Sequence, residues 1–213
     1  MKTKSKALLL TLCAVLLVAA SVMGTMAYLT STDKVENTFT VGKVAIKLDE
    51  AKANTDGSLV EGAARVKANK YKLLPGHTYN KDPMVTVLSG SEASYIKMTV
   101  TFSKASALDA IFAPTGADLT SIFNGYDSTN WIYKDNTKDA TADTRTYEFW
   151  YKETVGAPTA DVALDALFDS ITVPGSITNE QLATIEDMTI TVNAYAIQAD
   201  GFANAEAAWN AFD

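Results

Sequence analysis

The chain has 213 residues, a formal net charge of −7, one cysteine and one histidine. So acidic a balance disfavours nucleic acid and anionic membranes. The lone Cys13 rules out an internal disulfide, and the lone His77 leaves zinc-protease and Ser/His/Asp chemistry short of their usual residues.

In chain order, the first 27 residues read as an export address. Lys2, Lys4 and Lys6 make a positive start, and 7–22 is apolar apart from Thr11, Cys13 and Ser21. Gly24-Thr25-Met26-Ala27 then leads with small residues to a cut between Ala27 and Tyr28. This order is that of a secretory signal peptide. The alternative is an uncleaved membrane anchor, but the run is shorter than the roughly 20 residues a spanning helix needs. Cys13 lies inside the apolar run and not at its end, which argues against a lipid-modified cysteine. Removing residues 1–27 leaves 186 residues as a single domain, large enough for a core. The leader holds three of the 18 basic residues and none of the 25 acidic ones, so the remainder has a net charge near −10 and no cysteine.

Residues 28–37 are short and polar. In 38–48, Val44, Ile46 and Leu48 alternate with Lys43, Ala45 and Lys47, predicting a half-buried strand. The polar stretch 49–70 carries the turn signal Asp56-Gly57-Ser58 and reads as a hairpin or a loop. Leu74-Pro75-Gly76 turns the chain into a strand around Tyr79, and a further strand follows over 81–87, with Pro83 suited to its start or an edge. The clearest strand is 95–102: Ile96, Met98, Val100 and Phe102 face one way, Tyr95, Lys97, Thr99 and Thr101 the other.

Short helices are predicted over 107–112 and 118–123, a brief strand over 131–133 and charged turns over 134–144. Residues 147–154 read as a strand, 161–168 as a helix with Leu164, Leu167 and Phe168 near its buried face, and 171–173 as a strand. A helical turn over 179–185, a long strand over 188–198 and a terminal helix over 203–212 complete the chain. The strand's inner face carries Met188, Ile190, Val192, Ala194 and Ala196. The pattern predicts a mainly β fold, an antiparallel β-sandwich with several short helices in its connections.

Gly24-Thr25-Met26-Ala27-Tyr28-Leu29-Thr30-Ser31, then Asn37-Thr38-Phe39 and Val41-Gly42, resembles the export signal and mature start of the TasA/camelysin family. Leu74-Pro75-Gly76 through Val87, the block from Tyr151 to Pro174, and the run from Ile190 to Phe202 into Trp209 are similar to later blocks of that family. Residues 104–146 match nothing in it. The family's members are secreted by Gram-positive bacteria through a SipW-type signal peptidase, and include subunits of extracellular biofilm fibres. The resemblance implies a jelly-roll sandwich, and assembly in which the N-terminal segment of one subunit adds as a strand to the next. The expected exchangeable strand is 28–41, with Tyr28, Leu29, Val35, Phe39 and Val41 as its anchors. The expected partners are further copies or related matrix proteins, with no nucleic acid, and with membrane contact only through an uncleaved signal.

Chemistry is sparse. The camelysin branch is described as metalloprotease-like, but there is no His-Glu-x-x-His, and His77 lies in a Pro-Gly turn. No catalytic residue and no cofactor is assigned. Asp135, Asp139 and Asp143 supply oxygen ligands for calcium, in a pattern that lacks the glycine and closing glutamate of a calcium loop. Trp131, Tyr147, Trp150 and Tyr151 fit a sugar-binding platform or aromatic cross-strand pairs; the second reading is preferred. The expected function is a secreted, non-enzymatic subunit of extracellular matrix fibres. The alternatives are a camelysin-like secreted metalloprotease and a surface adhesin or carbohydrate-binding module.

Overall fold

The computed structural model describes residues 3–28, 42–112 and 122–212. The chain forms two units, Met1–Val41 and Gly42–Asp213. In the first, α1 (Thr3–Tyr28) is one unbroken helix rich in alanine and leucine, the best helix formers. Leu8, Leu9, Leu10 and Leu17 stand exposed on it. The Thr11 hydroxyl bonds back to the carbonyls of Ala7 and Leu8, so it costs the helix no unpaired group. The expected cut between Ala27 and Tyr28 falls at the end of this helix. Among the described residues no helix is long and apolar enough to cross a membrane.

The second unit is mainly β. Strands β1 (Ile46–Asp49), β3 (Met84–Val87) and β8 (Val162–Ala163) form one sheet in the order β1-β3-β8. Strands β4 (Ser94–Ser103), β6 (Trp131–Asp139), β7 (Thr144–Tyr151) and β10 (Ile190–Gln198) form a second, in the order β10-β4-β7-β6. A small third sheet runs β2-β9-β5, from Thr78–Asn80, Ser170–Thr172 and Phe123–Asn124. Every pairing is antiparallel. Among the described residues three helices join or flank the strands: α2 (Ala105–Phe112), α3 (Asn179–Thr184) and α4 (Ala205–Phe212). The whole is an antiparallel β-sandwich with short connecting helices.

Period-two alternation builds the core. Ile96, Met98, Val100 and Phe102 of β4 are fully buried, as are Tyr147 and Phe149 of β7 beside them. Val85 and Val87 of β3 close the core from the facing sheet. Phe123 lies among Phe102, Tyr147, Phe149 and Phe168, with ring centroids 4.5 to 6.0 Å away. Such offset and edge-on contacts suit the ring quadrupoles. On the outer face of β4, Lys97 is buried as well. Its Nζ lies 4.9 Å from the Trp209 ring and 5.4 Å from Phe212, and 3.6 Å from a Glu148 oxygen. Cation–π contact thus holds α4 on the sheet, and the ion pair ties the same lysine to β7.

Four expectations need correction. Residues 161–168 are not a helix: after Val162–Ala163 the chain stays irregular, with the Leu164 N–H on the Val85 carbonyl and the Leu167 N–H on the Pro83 carbonyl. Leu164, Leu167 and Phe168 are buried one by one along β3, and their three-residue spacing imitated a helical stripe. Residues 134–144 are mostly strand. β6 runs on to Asp139 opposite β7 as an edge whose side chains meet water, so charge hid its alternation. The strand expected from 38 begins at Ile46; residues 38–41 lie outside the described residues. Of the helix expected over 118–123, 118–121 lie outside them too, and Phe123 is in β5.

Phe123→Ala should lower stability by about 3–5 kcal/mol, because it deletes the ring that four others pack on. Urea unfolding followed by tryptophan fluorescence measures this; a loss under about 1 kcal/mol would mean that the cluster collapses freely into the space.

Candidate functional site

A sheet edge with no neighbour leaves backbone donors and acceptors unpaired. Among the described strands β10 is such an edge. The Ser103 N–H donates to the Thr189 carbonyl at 3.0 Å, and the Ala199 N–H to the Ala93 carbonyl at 2.7 Å. Odd-numbered residues therefore turn their backbone groups to β4, and Ile190, Val192, Ala194, Ala196 and Gln198 turn theirs away. No described strand pairs on that side. The side chains of Ile190, Val192, Ala194 and Ala196 pack against the core yet stay only half-buried. β1 is built in the same way. The Leu88 N–H binds the Ala45 carbonyl, so Ile46 and Leu48 turn their backbone outward. There the Lys67 ammonium donates to the Leu48 carbonyl.

Between these edges runs a groove of about 340 Å³, with Leu48, Glu50, Asn69, Pro83, Ile190 and Val192 among its walls. A cleft of about 600 Å³ lies beside it along Tyr71, Leu73 and Met188. Its outer wall is the 49–70 stretch, which is an ordered loop. The Asp56 carboxylate accepts from the Ser58 N–H, and Gly57 has φ +90°, which glycine adopts freely. A Cβ at Gly57 would meet the Thr78 carbonyl oxygen at 2.6 Å, so only glycine lets the loop lie on β2.

Polar clamps hold this loop. Arg65 donates from Nε to Asp49 Oδ1 at 2.5 Å and from Nη1 to Asp82 Oδ2 at 2.7 Å. Its Nη2 reaches the carbonyls of both residues. Lys47 Nζ lies 2.6 Å from Asp49 Oδ2. Burial pushes the Asp49 carboxyl up, but hydrogen bonds from Lys47 and Arg65 outweigh it and leave the group below the usual aspartate range. A second clamp joins Lys81 to Glu50 at 2.5 Å, both nearly buried, and Asn69 donates to Glu50 at 3.0 Å. Burial, with the Glu50 charge, pushes the Tyr71 phenol up, so it stays protonated and donates to the Asn80 carbonyl at 2.7 Å. Sequence reading missed Arg65, Asp49, Asp82, Glu50, Lys81 and Asn69. Asp49, Glu50, Arg65 and Asn69 lie in a stretch without period, and Lys81 and Asp82, at the start of the next predicted strand, are far along the chain from their partners, Lys81 by 31 positions from Glu50.

The residues singled out from sequence fare unevenly. Ala27 and Tyr28 lie in the last turn of α1, while Leu29, Val35, Phe39 and Val41 lie outside the described residues. Asp135, Asp139 and Asp143 are not drawn together around an ion. Asp135 accepts from the Asn136 N–H, Asp139 from the N–H groups of Thr141 and Ala142, and Asp143 from Ser106 at the start of α2. Among the described residues no group of three His, Cys, Asp or Glu side chains is placed to hold a metal ion. His77 is an exposed turn residue. Of the four aromatic residues, Trp131 and Tyr147 are buried, and Trp131 meets Tyr151 edge-on at 5.1 Å. They are cross-strand core pairs, not an exposed platform; Trp150 lies between Lys134, 4.1 Å above its ring, and Trp209.

Comparison with protein-family models, with curated proteins and with solved structures returned no match.

The Asp49 clamp sets an acid limit. A carboxyl held below its unfolded value contributes stability that is present above the ordinary aspartate range and is lost as pH falls through the folded value. Urea stability should therefore drop progressively below about pH 4. Asp49→Asn should be less stable at neutral pH and show a shallower loss across that window. An equally steep loss in the variant would place the acid sensitivity elsewhere.

Proposed function

We propose that this chain is a secreted structural subunit of extracellular matrix fibres, and that subunits join when the segment 28–41 of one adds as a strand to the free edge of β10 in the next. The observation that carries the reading is that edge: outward backbone groups over Ile190–Gln198, with half-buried apolar side chains beside a groove. β-strand addition satisfies both at once, since main-chain bonds supply affinity and alternate side chains supply register. Nine residues of edge offer about 30 Å at about 3.3 Å per residue, and 28–41 is long enough to cover it. In an extended chain Leu29, Val35, Phe39 and Val41 share one face, so all four would turn to the core side of the groove. Tyr28 would take the other face.

The remaining steps follow from the leader and from the likeness to the TasA/camelysin family. A SipW-type peptidase cuts after Ala27 outside a Gram-positive cell and frees Tyr28. The sandwich is wound as a jelly roll, and no catalysis is involved. The contact is head-to-tail, so it propagates into a filament unless the ring closes. Related matrix proteins with the same edge would co-assemble.

Electron microscopy of the chain from Tyr28 to Asp213, beside one lacking 28–41, tests the reading. Filaments are expected from the first and folded monomers from the second. Ala194→Pro sharpens the test. It removes an N–H that faces the open edge and leaves the β4 ladder intact, so the domain should fold and filaments should be lost. Folded monomers from the unaltered chain, or filaments from Ala194→Pro, would overturn the reading.

A further inference from the structure

The buried clamp on the loop wall holds more than an ion pair. Glu50 and Lys81 are 5% and 7% exposed, and Lys81 Nζ lies 2.5 Å from Glu50 Oε2. The other oxygen of the same carboxylate, Oε1, accepts from Asn69 Nδ2 at 3.0 Å. Asn69 Nδ2 also donates to the Ala51 carbonyl at 2.8 Å, and Asn69 Oδ1 accepts from the Ala53 N–H at 2.9 Å. These partners fix the amide's orientation. Flipping it would set an NH2 against the Ala53 N–H and an oxygen against two acceptors. An amine, a carboxylate and a carboxamide thus meet in the wall of the groove, beside Tyr71 and Pro83, with a backbone donor on the amide oxygen.

We propose that Lys81 and Asn69 form an intramolecular isopeptide bond, with Glu50 as the proton carrier. A proton passes from the Lys81 ammonium to Glu50, leaving a neutral amine. The Nζ lone pair then attacks Asn69 Cγ, and the C=O π electrons move onto Oδ1, where the Ala53 N–H faces the developing charge as an oxyanion donor. Glu50 delivers its proton to Nδ2, the Cγ–Nδ2 bond breaks and ammonia leaves. Glu50 then takes one proton from the attacking nitrogen, which ends as a neutral amide N–H, and passes it to the departing ammonia, so that ammonium leaves and Glu50 ends as the carboxylate it began as. The balance is one lysine ammonium and one carboxamide in, one secondary amide and one ammonium out. No oxidant, metal or second substrate enters.

Three physical features favour the reaction. The groups are held together by the fold, so a bimolecular aminolysis becomes intramolecular. One carboxylate touches both nitrogens and serves as base and then acid without moving. The product also relieves the site of a buried ion pair, whose desolvation commonly offsets its attraction. The new bond would tie the loop wall to the β2–β3 connection and hold the groove open against thermal or mechanical strain. It stands or falls independently of fibre assembly.

The test is intact-mass and peptide mass spectrometry on the folded full chain. The expected mass is lower than the sequence mass by one ammonia. The decisive fragment is a branched tryptic peptide joining Ala68-Asn69-Lys70 to a Leu73–Lys97 peptide left uncut at Lys81. Glu50→Gln and Asn69→Ala should restore the full mass for their sequences and lose the branch, and Glu50→Gln should still fold. A folded wild-type chain at full mass, with Lys81 open to acetylation after denaturation, would overturn the proposal. So would an ammonia loss localised to Asn124, where a succinimide with Gly125 gives the same mass, with no branched peptide. A branch formed equally fast in Glu50→Gln would remove Glu50 from the chemistry.

Discussion

The half-built edge of the large sheet is the constraint on which the rest of this domain turns. β4 has a neighbour on each side, and its four inward side chains are fully buried. Among the described strands β10 has one neighbour, and its four inward side chains are only half-covered. With no described strand on its outer side, β10 turns outward backbone and partly wet apolar area to the same place. Soluble domains blunt such edges with charge, bulges or a covering loop. β6, at the other end of the sheet, has the first two: lysine and aspartate side chains, with Lys134 over Trp150, and a register break between Tyr133 and Asp135. β10 presents threonine, asparagine and alanine instead, with no described strand beside its outward backbone.

The loop from Asp49 to Lys70 supplies the wall that makes the edge a groove. It has little apolar surface to bury, so packing alone would not hold it. Arg65 replaces packing with a fork of charged bonds to Asp49 and Asp82, and the Glu50 carboxylate bridges Lys81 and Asn69. Such bonds are directional, which fixes the wall's position, and they are sensitive to charge state, which links the groove to pH. The covalent bond proposed between Lys81 and Asn69 would make part of that wall permanent.

Reading by period succeeded where one face of an element meets the core and the other meets water. The strand over 94–103 and the inward residues of β10 were legible for that reason. It failed where burial is local. Leu164, Leu167 and Phe168 enter the core from an irregular chain, and their spacing carried a helical signal without a helix. The calcium candidates failed on a related ground. Aspartates in turns accept backbone N–H bonds, and a regular spacing in sequence did not converge in space.

The sequence by itself determined the fold class, the central strands, the absence of cysteine after Cys13 and the apolar character of α1. These are properties of neighbours along the chain, set by side-chain period and composition. Only the tertiary structure decided which strands stand at edges, that 49–70 is a clamped wall, and that Glu50, Asn69 and Lys81 share one site. Edge and centre differ in what lies alongside a strand, not in its own residues. A cluster drawn from positions 50, 69 and 81 has no period to betray it, because its spacing is set by the path of the fold.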